Sequence, residues 1–448
     1  MGRGRFSEER KASDMSTKLA DWLAEHDIAE AECIVPDMNG VQRGEWLLAD
    51  KFLSGPQDGT LRIPDSVFLV NITGEYPGGV GHIVPVTDPD RVIVPDAATI
   101  WEAPGFKTRT ADVIADAFDF HGAAFAIELR MILKRVLQLY ALKGWQPVIA
   151  PEVEFYLVSR NLDPDFPRVT PVGRSGRPET ASQPYDLEAL NEFEEIVEHI
   201  DENCEKAGLD INIMIYESGA AQREVNFLHG NALRLADEVQ LFKRIVRQVA
   251  LARDVYVTFL AKSMNGQPGS AMHIHQSVLD VGTGKNIFSR ADGRDSSAFR
   301  SYVAGLARLP PQVAPMFAAN VNSFRRMRPD SDAPINVHWG SDRADGRRNG
   351  PREPSDCCGR WLDRGAGRGC TRADSPDHQL QHRYRAARRS RRRVVADQCR
   401  SGRQSLRGEL FPAGRGPTND LWRGREISPN RAREHRRFRP AAPGRRVP

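Results

Sequence analysis

The composition of the chain changes abruptly near residue 342, and this break limits what the chain can fold into. Residues 341–448 hold 28 Arg, no Lys and 12 Asp or Glu, a net charge of +16. The 340 residues before them hold 35 basic and 47 acidic side chains, a net charge of −12. With 11 Val, Ile, Leu, Met or Phe and no helical or strand periodicity, the final part buries too little apolar surface to offset its ordering entropy. We therefore expect residues 343–448 to be disordered.

Two interpretations of this Arg/Gly/Pro-rich tail are open. A basic arm that binds nucleic acid would set the run at 388–393 (RRSRRR) against phosphates. A GC-rich gene read out of frame also yields Arg, Gly, Pro and Ala without Lys, and it explains why the break is abrupt. We favour the second interpretation, so nucleic acid is not an expected partner.

The sequence gives no sign of a membrane or secretory protein. It has no run of about 18 apolar residues, so it predicts no transmembrane helix. The first 14 residues lack the apolar core of a signal peptide, and we expect residues 1–15 to be disordered. Before the break the cysteines are Cys33 and Cys204. A cytoplasmic protein is the expectation.

The ordered part divides into two patterns, which together predict an α+β fold. Short apolar runs and turn residues fill the first hundred residues, which is typical of a small sheet-rich domain that ends near Gly105. Its predicted elements are a helix at 16–27, a hairpin at 31–47 turning at Asn39-Gly40, and strands at 66–70 and 91–96. Longer segments with helical spacing follow, separated by strands. These predicted helices cover 128–143, 187–208 and 232–253.

The first motif with chemical content is the stretch 150–158 (APEVEFYLV), whose β-branched and aromatic residues favour a strand. Glu152 and Glu154 are two residues apart, so both carboxylates project from one face. A second motif at 216–227 (YESGAAQREVNF) separates Glu217 from Glu224 by a turn of small residues, and a hairpin there would return both carboxylates to one place. Taken alone, each motif also fits a solvent-facing strand or a polar turn.

Two further motifs carry histidines and arginines. The stretch 265–277 (NGQPGSAMHIHQS) leads from a flexible loop into a strand with His273 and His275 on one face, an arrangement common at metal or phosphate sites. The stretch 322–334 (NSFRRMRPDSDAP) offers guanidinium groups for carboxylates or phosphates. Surface histidines and a solvated basic loop are the alternatives for these two.

Together the motifs supply four Glu, two His and an Arg cluster without a zinc-type set of cysteines. Ligation that is rich in oxygen favours Mg²⁺ or Mn²⁺ over Zn²⁺. Such metals among carboxylates with arginines nearby suit phosphoryl transfer from ATP. No Walker P-loop and no GxGxxG is present, which disfavours a P-loop kinase or a Rossmann enzyme.

In this order and spacing, the four motifs resemble the glutamine synthetase family over about residues 16–342. The family pattern has a PExEF strand, a Glu-loop-QxE segment, a GSxMHxH loop and an NSYRR segment. The stretch 37–44 (DMNGVQRG) is also similar to the start of the family's N-terminal β-grasp domain. The resemblance implies a β-grasp-like domain at 16–108 and a glutamine-synthetase-type catalytic domain at 109–342. That second domain would be incomplete, because the family's later Arg- and Glu-containing segments are not recognisable beyond the break.

The resemblance also implies roles for individual residues. A first divalent metal, Mg²⁺ or Mn²⁺, would be held by Glu154, Glu217 and Glu224. A second, at the ATP phosphates, would be held by Glu152 and His273.

The nucleotide and glutamate would contact other matched positions. His275 and Ser277 would lie on the ATP side. Gly269 and Arg326 would bind glutamate, with Arg326 near the transferring phosphate.

Two catalytic candidates follow from looser matches. Asp332 stands where the family usually has a Glu in a flap over the intermediate. Asp65 is our candidate for the carboxylate on the amine side, contributed by a neighbouring subunit, because the family forms double rings with active sites at subunit interfaces.

The implied reaction is ATP-dependent ligation of glutamate to an amine through γ-glutamyl phosphate. In glutamine synthetases proper an Asn usually precedes the GlySer of the His loop, whereas Pro268 stands here. The loop is therefore more similar to the γ-glutamylpolyamine and γ-glutamylputrescine synthetase branch. We expect a polyamine or other primary amine as acceptor and activity impaired by the break near residue 342. The alternatives are a glutamine synthetase that uses ammonia and an inactive regulatory or nucleic-acid-binding derivative.

Overall fold

The computed structural model describes residues 16–328, apart from 162 and 164, and residue 333. The predictions for residues 1–15, for Asp332 and for the tail at 343–448 lie outside the described residues. The fold of the described part is α+β, with two mixed or antiparallel sheets and helices packed on them. None of its helices combines the length and the apolar character that crossing a membrane requires.

The first sheet is built by the N-terminal third of the chain. Its elements are helix α1 (16–25), β1 (Glu30–Pro36), β2 (Gln42–Leu48), α2 (Ala49–Asp58), β3 (Arg62–Pro64), β4 (Asp90–Pro95), β5 (Trp101–Glu102) and β6 (Thr110–Phe118). The strands follow the order β2-β1-β6-β4-β3, and β5 pairs with β6. β1 and β6 run parallel, and the other pairs are antiparallel.

The hairpin predicted across Asn39-Gly40 is confirmed by β1 and β2. Asp37 shapes its turn, because its Oδ1 accepts hydrogen bonds from the backbone N–H groups of Asn39 at 2.8 Å and Val41 at 2.9 Å. Gly40 follows with a φ of +70°, which glycine adopts at no steric cost.

Two expectations for this region are wrong. Residues 65–69 form a 3₁₀ helix rather than a strand. Phe68 is buried there edge-on to Phe125, with ring centroids 5.1 Å apart, so tertiary packing overrides the β propensity of the segment. The sheet also does not end near Gly105. β6 lies in its middle, and the sheet continues to Phe118, beyond residue 108.

The second sheet is centred on the long strand β7. Along one edge β7 pairs with β10 and then β9, which pairs with β8, and along the other edge it pairs with β12 and β11. The elements are α3 (Leu129–Ala141), β7 (Trp145–Ser159), α4 (Leu187–Asn191), α5 (Glu194–Lys206), β8 (Ile211–Tyr216), β9 (Gln222–Phe227), β10 (Gly230–Asn231), α6 (Ala232–Leu251), β11 (Val255–Thr258), β12 (Met272–Asp280), α7 (Ser297–Arg308), α8 (Pro310–Phe317) and α9 (Val321–Phe324).

Helix α6 covers one face of β7 and β9 and leaves the other face for polar side chains. Phe242 on α6 packs edge-on against Phe155 of β7 and Phe227 of β9, at centroid distances of 6.1 and 5.4 Å. The helix predicted at 187–208 is interrupted, since Phe193 leaves the helical conformation at φ −121° and enters the core.

Charged side chains of α3 and α6 connect the two sheets. Arg244 on α6 places its Nε 2.5 Å from Asp112 Oδ2 on β6. Arg130 on α3 binds Asp237 of α6 at 2.8 Å and Asp116 of β6 at 2.6 Å. Because these groups are largely buried, removing one partner would leave an uncompensated charge.

Candidate metal and phosphate site

Strand β7 places Glu152 and Glu154 on the face away from α6, as the alternation of the motif predicts. Val153, Phe155 and Leu157 point into the core instead. In the register of the sheet, Glu154 lies opposite Glu224 on β9, and Glu152 lies opposite His273 on β12. Neighbouring strands therefore bring together residues that are far apart in sequence.

Glu217 reaches the same place through the hairpin between β8 and β9. Its backbone N–H donates to the carbonyl of Gln222 at 3.1 Å, which closes the turn. Ala221 in this turn has a φ of +62°, an uncommon conformation for a residue other than glycine. The predicted hairpin is confirmed, and it returns Glu217 to the side of Glu224.

Two groups of side chains have the spacing that a metal ion requires. Glu154, Glu217 and Glu224 form the first, and Glu152, Glu224 and His273 form the second. Within each group the ligating atoms all lie within 4.8 Å of one another. Glu224 belongs to both groups, so one carboxylate could bridge two neighbouring ions.

The electrostatics of the cluster favour the binding of a cation. Burial raises the pKa of Glu224 to about 7, and the carboxylates of Glu152, Glu154 and Glu217 add to the shift. Burial also raises the pKa of Glu154. Buried carboxylates that repel one another are costly unless a cation compensates them.

The donor set fits a hard divalent ion. It consists of carboxylate oxygens with one imidazole, which suits Mg²⁺ or Mn²⁺ better than softer metals. Asn226 lies opposite Glu152 on β9, and its buried Oδ1 has no hydrogen-bond donor among the described residues.

His273 and His275 both contact Glu152. His273 Nδ1 lies 3.3 Å from Glu152 Oε2, and His275 Nε2 lies 3.0 Å from Glu152 Oε1. These hydrogen bonds lower the pKa of Glu152 to about 2, and the contact with Glu152 raises the pKa of His273. Ser277 follows on the same face of β12, opposite Val148. A contact of His275 or Ser277 with ATP stays a prediction.

Gly269 and Arg326 lie against each other, although 57 positions separate them. A Cβ added at Gly269 would lie 2.3 Å from Arg326 Cγ and 2.6 Å from the carbonyl oxygen of Ala261. Asn322 and Lys262 connect the two segments through paired hydrogen bonds of 2.8 Å. Burial lowers the pKa of Arg326, and Glu154 is the acidic group that opposes this shift. The structure therefore brings the Arg segment and the His loop to the carboxylate cluster.

Asp65 is placed elsewhere, in the first sheet. Its side chain is fully buried and makes a bidentate ion pair with Arg91, with Arg91 Nη2 2.8 Å from Asp65 Oδ2. This pairing places the carboxylate in the core of the first sheet, and its role on the amine side stays a prediction. Asp332 lies outside the described residues.

Two polar residues of the site escaped the sequence interpretation. Gln222 donates from Nε2 to Glu154 Oε2 at 3.0 Å and to the carbonyl of Gly269 at 3.1 Å. The hydroxyl of Tyr156 donates to the carbonyl of Pro268 at 2.9 Å. Each lies two residues from a metal-ligand candidate on the same strand and therefore on the same face of the sheet. This two-residue spacing could have identified both residues from the sequence.

A carboxylate–histidine cluster on an antiparallel sheet, with a guanidinium beside it, is typical of enzymes that bind divalent metals and anionic substrates. Residues 127–345 match the family model described as glutamine synthetase, catalytic domain. The chain is 31% identical over 339 residues to γ-glutamylputrescine synthetase PuuA of Escherichia coli, covering 75% of this chain and 71% of that protein. The chain belongs to the glutamine synthetase family, in which its PuuA-like relatives are glutamate–amine ligases.

Other relatives agree on the family and differ in the enzyme that their names state. A glutamine synthetase of Pyrococcus abyssi is 29% identical over 312 residues, which cover 69% of this chain and 64% of that enzyme. A glutamate–isopropylamine ligase of a Pseudomonas species is 26% identical over 351 residues, covering 75% of this chain and 73% of that protein. The chain thus spans less than two thirds of the Pyrococcus enzyme.

A solved structure confirms the fold. The structure entitled "Apo GmaS without ligand" superposes with a TM-score of 0.57 at 23% identity, covering 68% of this chain and 67% of that one.

Proposed function

We propose that the chain is an ATP-dependent γ-glutamyl–amine ligase that forms γ-glutamyl phosphate from glutamate and ATP and transfers the glutamyl group to a primary amine. The observation that carries the proposal is the pair of ligand groups that share Glu224 on the sheet of a glutamine synthetase fold. Two relatives whose names state ligation of glutamate to putrescine or to isopropylamine support the proposal.

The metal-binding roles fall to the five residues of the cluster. Glu154, Glu217 and Glu224 would hold one divalent ion, and Glu152, Glu224 and His273 a second. When bound, these ions supply positive charge that stabilises the transferring phosphoryl group. His275 orients Glu152 through the 3.0 Å contact, so it acts on the second ion as well as on the ATP side.

Glutamate binding falls to the backbone at Gly269 and to Arg326. A glutamate γ-carboxylate is a poor acylating group because oxide is a poor leaving group, and phosphorylation turns it into an acyl phosphate that an amine attacks. The half-buried Arg326 guanidinium offers planar donors to the carboxylate and to the charge that develops on phosphate. Gly269 lets the backbone approach the aliphatic part of the Arg326 side chain, because a Cβ there would displace Arg326 Cγ and Cδ and with them the guanidinium.

Pro268 supports an amine larger than ammonia. A residue with an amide side chain could offer an oxygen to an ammonium ion from this position, whereas Pro268 has no polar side chain, and its carbonyl is occupied by the hydroxyl of Tyr156. Glutamine synthesis from ammonia is the second candidate, since the Pyrococcus relatives are glutamine synthetases.

We also propose a cytoplasmic homo-oligomer with a β-grasp-like first domain, whose sheet extends to Phe118, followed by the catalytic domain. The out-of-frame interpretation of residues 343–448 implies that the ligase activity of this chain is impaired. Size-exclusion chromatography with light scattering tests assembly, and a species many times the 50.0 kDa mass of one chain would support the ring arrangement.

The test of the activity is glutamate-dependent ADP release with putrescine, isopropylamine or ammonium as separate acceptors. We expect release with Mg²⁺ and a primary amine, stronger once the downstream frame is restored, and none in the matched Glu224→Gln variant of the restored chain. Faster release with ammonium than with either amine would favour the second candidate. No release with any acceptor after restoration would exclude both.

A further inference from the structure

A second buried charge cluster lies behind the metal-binding turn, on the opposite face of β9. It consists of Glu179, Arg223 and Tyr216, where Arg223 and Tyr216 are each 1% exposed and Glu179 is 8% exposed. None of the three is among the ligand candidates. The sheet alternation explains their position, because Arg223 points to the core while its neighbour Glu224 points to the site.

Glu179 is the centre of this cluster. Its Oε1 lies 3.3 Å from Arg223 Nη2, and its Oε2 accepts hydrogen bonds from the Tyr216 hydroxyl and, at 2.7 Å, from the backbone N–H of Ala221. Arg223 in turn donates to the carbonyl of Ala189 at 3.1 Å and lies over the Tyr216 ring, 4.4 Å from its centroid. One carboxylate therefore binds three points of a single hairpin.

Each of those points is next to the metal-binding groups. Tyr216 immediately precedes Glu217, Arg223 immediately precedes Glu224, and Ala221 lies in the turn between them. Ala221 keeps its uncommon positive φ while its N–H is bound by Glu179 and, at 2.9 Å, by the Tyr216 oxygen. A strained residue persists only where its surroundings determine its conformation.

We propose that Glu179 is a positioning residue that fixes the separation of Glu217 and Glu224 and so sets the affinity of the first metal site. The inference rests on the proposed function only in that the cluster is taken to bind a divalent ion. A buried ion pair contributes little net stability by itself, whereas groups behind metal ligands orient them and tune the metal. Glu179 comes from the segment between β7 and α4, so it would act on the site through the hairpin.

The test measures Mn²⁺ binding by the full chain, wild type and variants, by electron paramagnetic resonance. The melting temperature of each protein without metal reports separately on its stability. Glu179→Gln retains a hydrogen-bond acceptor but loses the charge that holds Arg223. We expect one of two Mn²⁺ sites to weaken by about tenfold, in the range typical of groups behind metal ligands. Tyr216→Phe, which removes one hydrogen bond, should weaken the same site by a smaller factor of about three.

Glu32→Gln is the matched control. Glu32 is a partly buried carboxylate on β1 that pairs with Arg244 of α6, so its loss should lower the melting temperature and leave Mn²⁺ affinity unchanged. Unchanged Mn²⁺ affinity in Glu179→Gln would overturn the inference. If that variant fails to fold, Tyr216→Phe decides in the same way. If the wild-type chain binds no Mn²⁺, the proposed metal site itself fails.

Discussion

Glu154 on β7 lies directly opposite Glu224 on β9, and burial raises the pKa of both carboxyl groups. Cross-strand pairs of like charge are unfavourable. Glu217 from the hairpin lies beside this pair, so three carboxylates are close together. A bound cation would make the arrangement favourable, and this register is the structural reason for expecting a metal there.

Because Glu224 belongs to both ligand groups, its loss should affect both ions, whereas Glu217 belongs to one. We expect Glu224→Gln to weaken both Mn²⁺ sites and Glu217→Gln to weaken one. Equilibrium dialysis with Mn²⁺ counts the ions bound per chain. Two intact sites in Glu224→Gln would contradict the bridging role.

Metal should stabilise the fold, since it binds the folded cluster and not the unfolded chain. At 100 times the dissociation constant, one ion adds about 2.7 kcal/mol to the free energy of unfolding. We expect Mn²⁺ or Mg²⁺ to raise the melting temperature by about 5 °C over EDTA-treated protein. The Glu224→Gln variant should show little of this rise. Buffer without divalent metal, adjusted to the same ionic strength, is the control for a general effect of salt.

Gly269→Ala should impair glutamate binding. The new Cβ would overlap Arg326 Cγ and approach the Ala261 backbone, so the guanidinium must move. We expect the KM for glutamate to rise more than tenfold in the frame-restored chain. The control is Gly282→Ala, where an added Cβ meets Asp280 at an ordinary 3.5 Å. An unchanged KM in Gly269→Ala would separate Arg326 from glutamate recognition.

Glu238 on α6 should make the stability of the protein depend on pH. Burial raises its pKa from the ordinary 4.5 to about 7, and its Oε2 has no hydrogen-bond partner among the described residues. The folded state thus holds a proton that the unfolded state has lost, so stability falls as pH rises from about 4.5 to about 7. Glu238→Gln should gain about 1–2 kcal/mol over wild type at pH 8 and nothing near pH 4.5, after allowing for partial solvation.

Chemical denaturation at the two pH values measures this difference. Glu198→Gln, which removes an exposed carboxylate of α5, is the control. An equal effect of Glu238→Gln at both pH values would mean that its charge is compensated by Arg234, which lies 3.2 Å away.

Deleting the basic tail tests the alternative that the chain is a nucleic-acid-binding derivative rather than an enzyme. If residues 343–448 are an out-of-frame product, removing them should leave Mn²⁺ binding unchanged, and DNA binding by the full chain should be weak and non-specific. Fluorescence anisotropy with a DNA duplex at several salt concentrations measures this. Tight binding that is lost on deletion of 343–448 would instead favour the nucleic-acid-binding derivative.

The local pattern of the sequence was sufficient for much of the site. Two-residue spacing placed Glu152 and Glu154 on one face, and the small residues between Glu217 and Glu224 predicted the hairpin. Both follow from backbone geometry over a few residues. The 3₁₀ helix at Asp65–Leu69 was missed because its conformation depends on packing against Phe125, which is distant in sequence.

The sequence by itself determined where the composition changes, near residue 342, and which residue types form the carboxylate and histidine motifs. Tertiary structure alone decided that Glu224 faces Glu154, that His275 shares Glu152 with His273, and that Asp65 is paired with Arg91 in a core. It also revealed Glu179 behind the turn. The physical reason is that strand register and burial arise from contacts between distant segments, whose relative positions local spacing does not encode.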